Sequence, residues 1–221
     1  MKRLAEVYDR IASDYDNLHA NAAAVSEDRW LATDLTDWIK GKVLDVGCGD
    51  GLLLRLRPDI EPLRYIGIDL SPGMVARAKA TYPEHYFIEA DMHHVGGLVT
   101  RRSIDTVVCL FTFSMAHAGT LLSGISDVIR EGGNVYFTVT TPLHGESDCP
   151  CRTYHPPGTD VFYTAEEAFA LFSKYFHAVE VRPLPSAGQE GHYLIVTGRG
   201  RFYRDIGDER PWYGHGGPPT P

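Results

Sequence analysis

Apolar residues recur along this chain in two periods, and the pattern switches repeatedly between that of an amphipathic helix and that of a buried strand. Leu4, Val7, Tyr8, Ile11, Ala12 and Tyr15 fall at helical spacing and predict a helix from Leu4 to about Asn17. Trp30, Leu31, Leu35, Trp38 and Ile39 predict a second, from Ser26 as N-cap to Ile39. A strand over Lys42 to Gly47 follows, then a short helix, Leu52 to Leu56, stopped by Pro58. Tyr65 to Leu70 reads as a second strand, and Ser71 caps a helix with Pro72 at its first position, reaching Ala80 or Thr81. Tyr86 to Ala90 is a third strand. Ile104 to Phe111 is the near-continuous apolar run of a parallel strand covered on both faces. Gly119 to Arg130 is helical, Glu131-Gly132-Gly133 ends it, and Asn134 to Thr140 makes a fifth strand.

Further on, Thr164 caps a helix through Phe176, with Glu167 at capping-box spacing. Strands over His177 to Arg182 and His192 to Thr197 are too close in sequence for a parallel crossover, so the last should run antiparallel. The pattern is that of an α/β, Rossmann-like, doubly wound seven-stranded sheet, mostly parallel with an antiparallel C-terminal strand and preceded by two helices. At 221 residues the chain suits one domain. We place that domain at 1–200, with residues 1–40 as a helical cap and a mobile Gly- and Pro-rich tail over 201–221. A proline-rich loop from Thr141 to Asp160 is a candidate lid or substrate-contact segment.

Composition narrows the function. A formal net charge of −8 opposes approach to a phosphate backbone, so no nucleic-acid partner is expected. No apolar run approaches the ~18 residues of a membrane span and no signal peptide is visible, so no membrane partner is expected either. The four cysteines, Cys48, Cys109, Cys149 and Cys151, form no disulfide framework, which fits a cytoplasmic location.

The chemistry concentrates where the first strand breaks into glycines, Val43-Leu44-Asp45-Val46-Gly47-Cys48-Gly49-Asp50-Gly51. A dinucleotide fingerprint needs G-x-G-x-x-G, and Leu52 stands where its third glycine would be. A P-loop is excluded because no Gly-Lys-Ser/Thr follows. Acids stand at three strand ends, Asp45, Asp69 and Asp91, which would repel a pyrophosphate. Read alone, Asp69 could equally cap the helix after it. Cys48 reads as a small space-filling residue.

These residues resemble motif I of the class I S-adenosylmethionine-dependent methyltransferases. Ile66-Gly67-Ile68-Asp69-Leu70-Ser71 is similar to the second motif, whose acid takes the ribose hydroxyls, and Glu89-Ala90-Asp91-Met92 to the third, which meets the adenine. Asp105 to Phe111 resembles the fourth strand, and Ile129 to Asn134 the turn before the fifth. Tyr8 to Asp16 is similar to the N-terminal helix that closes over the cofactor in small-molecule members. The resemblance implies S-adenosylmethionine as cofactor. It implies a site that includes Asp45, Gly47, Cys48, Gly49, Gly51, Asp69, Leu70, Asp91, Met92, Leu110, Phe111 and Tyr15.

Methyl transfer from a sulfonium is an in-line displacement, and alignment does most of the work. A dedicated base is optional; His117, after the fourth strand, is a candidate, against a surface or helix-capping role. His144, Cys149, Cys151 and His155 gather soft ligands, but Cys-x-Cys is not a usual zinc spacing, and no metal is expected. The expectation is methyl transfer to O or N of a small-molecule acceptor. A nucleic-acid or protein methyltransferase and a non-catalytic cofactor-binding domain stand as alternatives.

Overall fold

In the first strand, β1 (Val43–Val46), all four residues are buried and successive side chains face opposite sides of the sheet. Leu44 and Val46 join one apolar cluster, while Val43 joins the other. A computed structural model describes residues 2–12, 22–115, 117–146, 160–186 and 190–200. The remaining strands are β2 (Tyr65–Asp69), β3 (Tyr86–Glu89), β4 (Ile104–Cys109), β5 (Ile129–Thr140), β6 (Phe176–Pro183) and β7 (Tyr193–Gly200). They form one seven-stranded sheet in the order β3-β2-β1-β4-β5-β7-β6. Pairings among β1 to β5 are parallel; β7 lies antiparallel between β5 and β6, as the short β6–β7 connection requires.

The helices are α1 (Lys2–Ile11), α2 (Ala22–Trp38), α3 (Leu52–Leu56), α4 (Pro72–Thr81), α5 (Val95–Leu98), α6 (Ala118–Val128), α7 (Pro142–Glu146) and α8 (Ala165–Phe172). Leu31 and Leu35 of α2, Leu53 and Leu54 of α3, and Val75 and Ala78 of α4 pack on one face with Tyr65, Phe87 and Tyr136. Val95 of α5, Leu121 to Val128 of α6, and Ala168 and Phe172 of α8 cover the other with Val107, Phe137 and Val196. Phe172 sits among Phe113, Phe137 and Phe176 at centroid distances of 5.1 to 6.2 Å. Asp34 ties α2 to the sheet by accepting from the Tyr136 hydroxyl at 2.8 Å and pairing with Arg182.

Caps account for several boundaries. Ser71 accepts from the Met74 N–H, and Thr164 and Glu167 form the expected reciprocal box. Several boundaries differ from the sequence reading; β4 stops at Cys109 and β7 runs on to Gly200. Helix α2 begins at Ala22 because the alanines extend it; Ser26 is interior and its hydroxyl donates to the Ala23 carbonyl. Helix α6 stops at Val128, and Ile129 and Arg130 already belong to β5, where the register with β4 shifts and Gly132 takes φ 68°. Helix α8 ends at Phe172, leaving Phe176 to open β6. Thr141 to Asp160 is not loop throughout, since α7 occupies its start. Residues 13–21, 147–159 and 201–221, which hold Tyr15, Cys149, Cys151, His155 and the expected tail, lie outside the described residues. No described helix is long and apolar enough to cross a membrane.

Candidate functional site

The turn after β1 is built by the backbone of β2 and one side chain. Gly47 and Cys48 both donate N–H to the Ile68 carbonyl, at 2.8 and 3.0 Å. Gly49 donates to Asp69 Oδ2 at 2.8 Å, and Asp69 Oδ1 accepts from Ser71 N–H at 2.9 Å. One carboxylate therefore ties the glycine turn to the start of α4. The helix-capping and ligand-binding readings of Asp69 are compatible: a carboxylate has about four lone-pair sites, and the N–H groups of Gly49, Ser71 and Leu70 do not fill them all. Gly49 has φ 54°, and a Cβ added there would meet no atom within 4 Å. It borders open space. At Gly47, φ 71°, a Cβ would lie 2.4 Å from Thr112 Cγ2, so that glycine serves packing instead.

Helix α1 is laid across the N-terminus of α4. Asp9 Oδ1 accepts from the Ser71 hydroxyl at 2.6 Å and from Gly73 N–H at 2.9 Å, and Arg77 of α4 donates to the Ala12 carbonyl. Beneath α1 lies a cavity of about 410 Å³, within the range of small-molecule sites. The Tyr8 hydroxyl reaches Met115 Sδ at 3.8 Å across it, and both residues line it.

Of the residues expected at the site, Gly47, Cys48, Gly49, Asp69 and Leu70 line the cavity at the turn. Met92, Leu110 and Phe111 line it from the ends of β3 and β4. Phe111 adopts φ 56°, uncommon for a bulky residue; its N–H is held by the Thr138 hydroxyl, and its ring meets Tyr193 edge-on at 5.1 Å.

Four others do not form the wall. Asp45 is 2% exposed beneath the turn and accepts from the Tyr65 hydroxyl at 2.8 Å. Gly51 at φ 100° packs on the Tyr82 ring, where a Cβ would lie 2.6 Å from Cε2. Asp91 pairs with His93 Nδ1 at 2.5 Å, one residue before the wall. His117 is exposed at the N-cap of α6, donating its backbone N–H to His93 Nε2 at 2.8 Å. Strand-end position alone does not separate an acid facing the cavity from one below it.

Sequence reading missed part of the wall: Glu27, Asp28, Asp50, Arg55 and Tyr193. Glu27 had a signal. It shares the buried stripe of α2 with Ala23, Leu31 and Leu35 at four-residue steps, an acid on an apolar face.

Burial dominates the electrostatics. It pushes the Asp45 carboxyl up to about 7, against the lowering effect of the Tyr65 hydrogen bond and helped by the charge of Asp69. Burial also raises Asp69 despite its backbone donors, and holds the Cys48 thiol well above its ordinary value, so Cys48 is no thiolate nucleophile. Burial pushes Asp91 up as well, but hydrogen bonds from the backbone and ring of His93 bring it below its usual range. Asp50 is met by Arg77 at 3.2 Å and Arg55 at 4.0 Å. The cavity thus offers acids and bare backbone where a phosphate-binding site would offer cations. That suits a cationic ligand with a diol, and an adenosyl sulfonium has both.

Residues 43–133 match the family model for a methyltransferase domain. No curated protein sequence matches the chain. Among solved structures, the chain is similar to a methyltransferase of Thermotoga maritima described as a possible histamine N-methyltransferase. The TM-score is 0.69 at 16% identity, covering 90% of this chain and 100% of that one. It is similar to a methyltransferase solved with the Haloferax volcanii Trm112 activator, with TM-score 0.68, 21% identity, and 88% and 98% coverage. It is also similar to the N-methyltransferase NodS of Bradyrhizobium japonicum bound to S-adenosylhomocysteine, with TM-score 0.66, 18% identity, and 90% and 98% coverage.

Proposed function

We propose that this chain, which carries a class I S-adenosylmethionine-dependent methyltransferase domain, transfers a methyl group to an oxygen or nitrogen of a small-molecule acceptor. The observation that carries the reading is the continuous cavity from Gly49 and Asp69 to Phe111 and Tyr193, roofed by α1. Its volume of about 410 Å³ suits a cofactor and a compact partner, and Asp9 ties the roof to the start of α4. Histamine, named for the Thermotoga maritima protein, is a small molecule, in line with this reading.

The cofactor supplies a methyl carbon already activated by its sulfonium. The protein binds, orients and excludes water. Asp69 accepts from the ribose hydroxyls with the lone-pair capacity that its backbone donors leave free. Gly49 leaves room for the chain that follows the ribose. Met92, with Asp91 fixed just before it by His93, lies at the adenine end. Leu110 and the strained Phe111 set the wall beyond β4, where donor and acceptor must meet.

Calorimetry with S-adenosylhomocysteine tests the cofactor half. Asp69→Ala should weaken binding by ~100-fold or more, since two hydrogen bonds to a charged group are lost. Unchanged affinity would refute the assignment. Incubating a cell extract with enzyme and isotopically labelled methyl donor tests the acceptor half: label should appear in small metabolites. Label confined to protein or RNA would overturn it.

A further inference from the structure

We propose that the acceptor is a small amine and that Glu27 is the carboxylate that holds its nitrogen. The proposal rests on the methyltransferase reading above and adds the acceptor's chemical class.

Glu27 lines the cavity from α2 and is only 6% exposed. Its Oε1 accepts from the Ser186 hydroxyl at 2.5 Å; among the described residues nothing donates to Oε2. The wall arginine Arg55 is committed elsewhere, pairing with Asp28 at 3.7 Å and with Asp50 at 4.0 Å. Burial pushes the Glu27 carboxyl up, against the lowering effect of the Ser186 hydrogen bond and helped by the like charge of Asp28. A carboxyl buried on an apolar helix stripe, with one hydroxyl donor and no paired cation among the described residues, is a group that a cationic ligand would complete.

The whole wall has the same bias. Among its described residues stand Glu27, Asp28, Asp50 and Asp69 against Arg55, with Arg77 reaching Asp50 from behind. The cofactor, with a sulfonium, an ammonium and one carboxylate, brings a net charge of only about +1 at neutral pH. The remaining negative charge attracts an ammonium and repels a carboxylate or phosphate.

Glu27 and Asp69 reach the cavity from different elements: Asp69 ends β2, whereas Glu27 comes from α2 and is held by Ser186, which follows β6.

In the reaction, an amine arriving as an ammonium first gives one proton to the Glu27 carboxylate. Its freed lone pair then forms the N–C bond to the methyl carbon as the C–S pair withdraws to sulfur. The methylated product carries the positive charge, the thioether is neutral, and the Glu27 carboxyl returns its proton to solvent. A carboxyl raised by burial is suited to this exchange.

The test uses the full chain, labelled methyl donor, and three probes of similar skeleton: phenethylamine, 2-phenylethanol and 3-phenylpropanoic acid. The amine should bind the S-adenosylhomocysteine complex and accept methyl; the alcohol and acid should not. Glu27→Gln keeps the Ser186 hydrogen bond but removes the charge and the proton acceptor, and should lower kcat/KM for the amine about 30-fold or more, through a raised KM and a lowered kcat together, with S-adenosylhomocysteine affinity unchanged. Preference for the alcohol or acid, or no binding or methylation of the amine, overturns the proposal. So does a Glu27→Gln enzyme that retains wild-type kcat/KM, or one that loses cofactor affinity instead. Should Glu27→Gln fail to fold, the wild-type preference decides. Failure of S-adenosylhomocysteine to bind wild type would instead remove the cofactor reading, and this proposal with it.

Discussion

Replacing Asp45 by Asn should stabilise the protein, and more so as the pH rises. Asp45 is buried in β1 under the glycine turn, with Tyr65 as its hydrogen-bond donor and no cation beside it among the described residues. Its carboxyl titrates near 3.8 in an unfolded chain and at about 7 in the folded one. Between those values the folded state holds a proton that the unfolded state has released, so stability falls as pH rises through the window. At 1.36 kcal/mol per pH unit, the full penalty above pH 7 is about 4 kcal/mol, a large part of a typical domain's stability. Asn keeps an oxygen that can accept from Tyr65 and never ionises. Urea unfolding of both proteins at a series of pH values measures the effect, and taking the difference cancels groups common to both. The Asn variant's advantage should grow from pH 4 to pH 7 and then level off. A difference that stays flat from pH 4 to pH 8, or one that shrinks, would refute the burial argument.

Gly49→Ala should cost only the ~1–2 kcal/mol of holding an alanine at positive φ, since its Cβ meets no atom, yet weaken S-adenosylhomocysteine binding by about tenfold or more. Gly47→Ala should destabilise the fold by ~1–3 kcal/mol more than that through its clash with Thr112, seen in chemical denaturation; equal effects at the two glycines would defeat the distinction. His117→Ala should change kcat by no more than about twofold, given an exposed side chain outside the cavity wall; the ~100-fold fall expected on losing a general base would return it to the mechanism. Thr164→Ala should cost about 1 kcal/mol of unfolding free energy by opening the capping box of α8, with kinetics unaltered.

The elements most legible in the sequence are those where local chemistry and tertiary packing agree. Ser71 with Pro72, and Thr164 with Glu167, set helix starts by hydrogen bonds made within a few residues, and those starts were readable to the residue. Ile129 and Arg130 were not. Their side chains suit the end of a helix, but β4 lies alongside and draws them into the sheet. Gly47, Cys48 and Gly49 were legible at the site because a turn that must leave backbone bare needs small residues. For Asp45 the sequence shows an acid at a strand end without showing which face it takes, and the structure turns it to Tyr65 beneath the turn. Glu27 stayed hidden for the opposite reason. Its hydrogen-bond partner, Ser186, lies far along the chain in the connection between β6 and β7.

The return of β7 between β5 and β6 governs the order in which the molecule can be completed during synthesis. Strand β6 emerges before β7 yet pairs with no strand except β7, and the open edge of β5 waits for the same segment. Asn134 must pair with Arg199, and Thr140 with Tyr193, so the closing contacts span much of the second half of the chain. Until β7 leaves the ribosome, a nascent chain exposes the apolar edge of β5 as a surface on which another chain's strand could pair. Tyr193, which buttresses Phe111, arrives in that same step. Chaperone dependence and the appearance of a finished cavity should therefore turn on one late event, the insertion of residues 193–200.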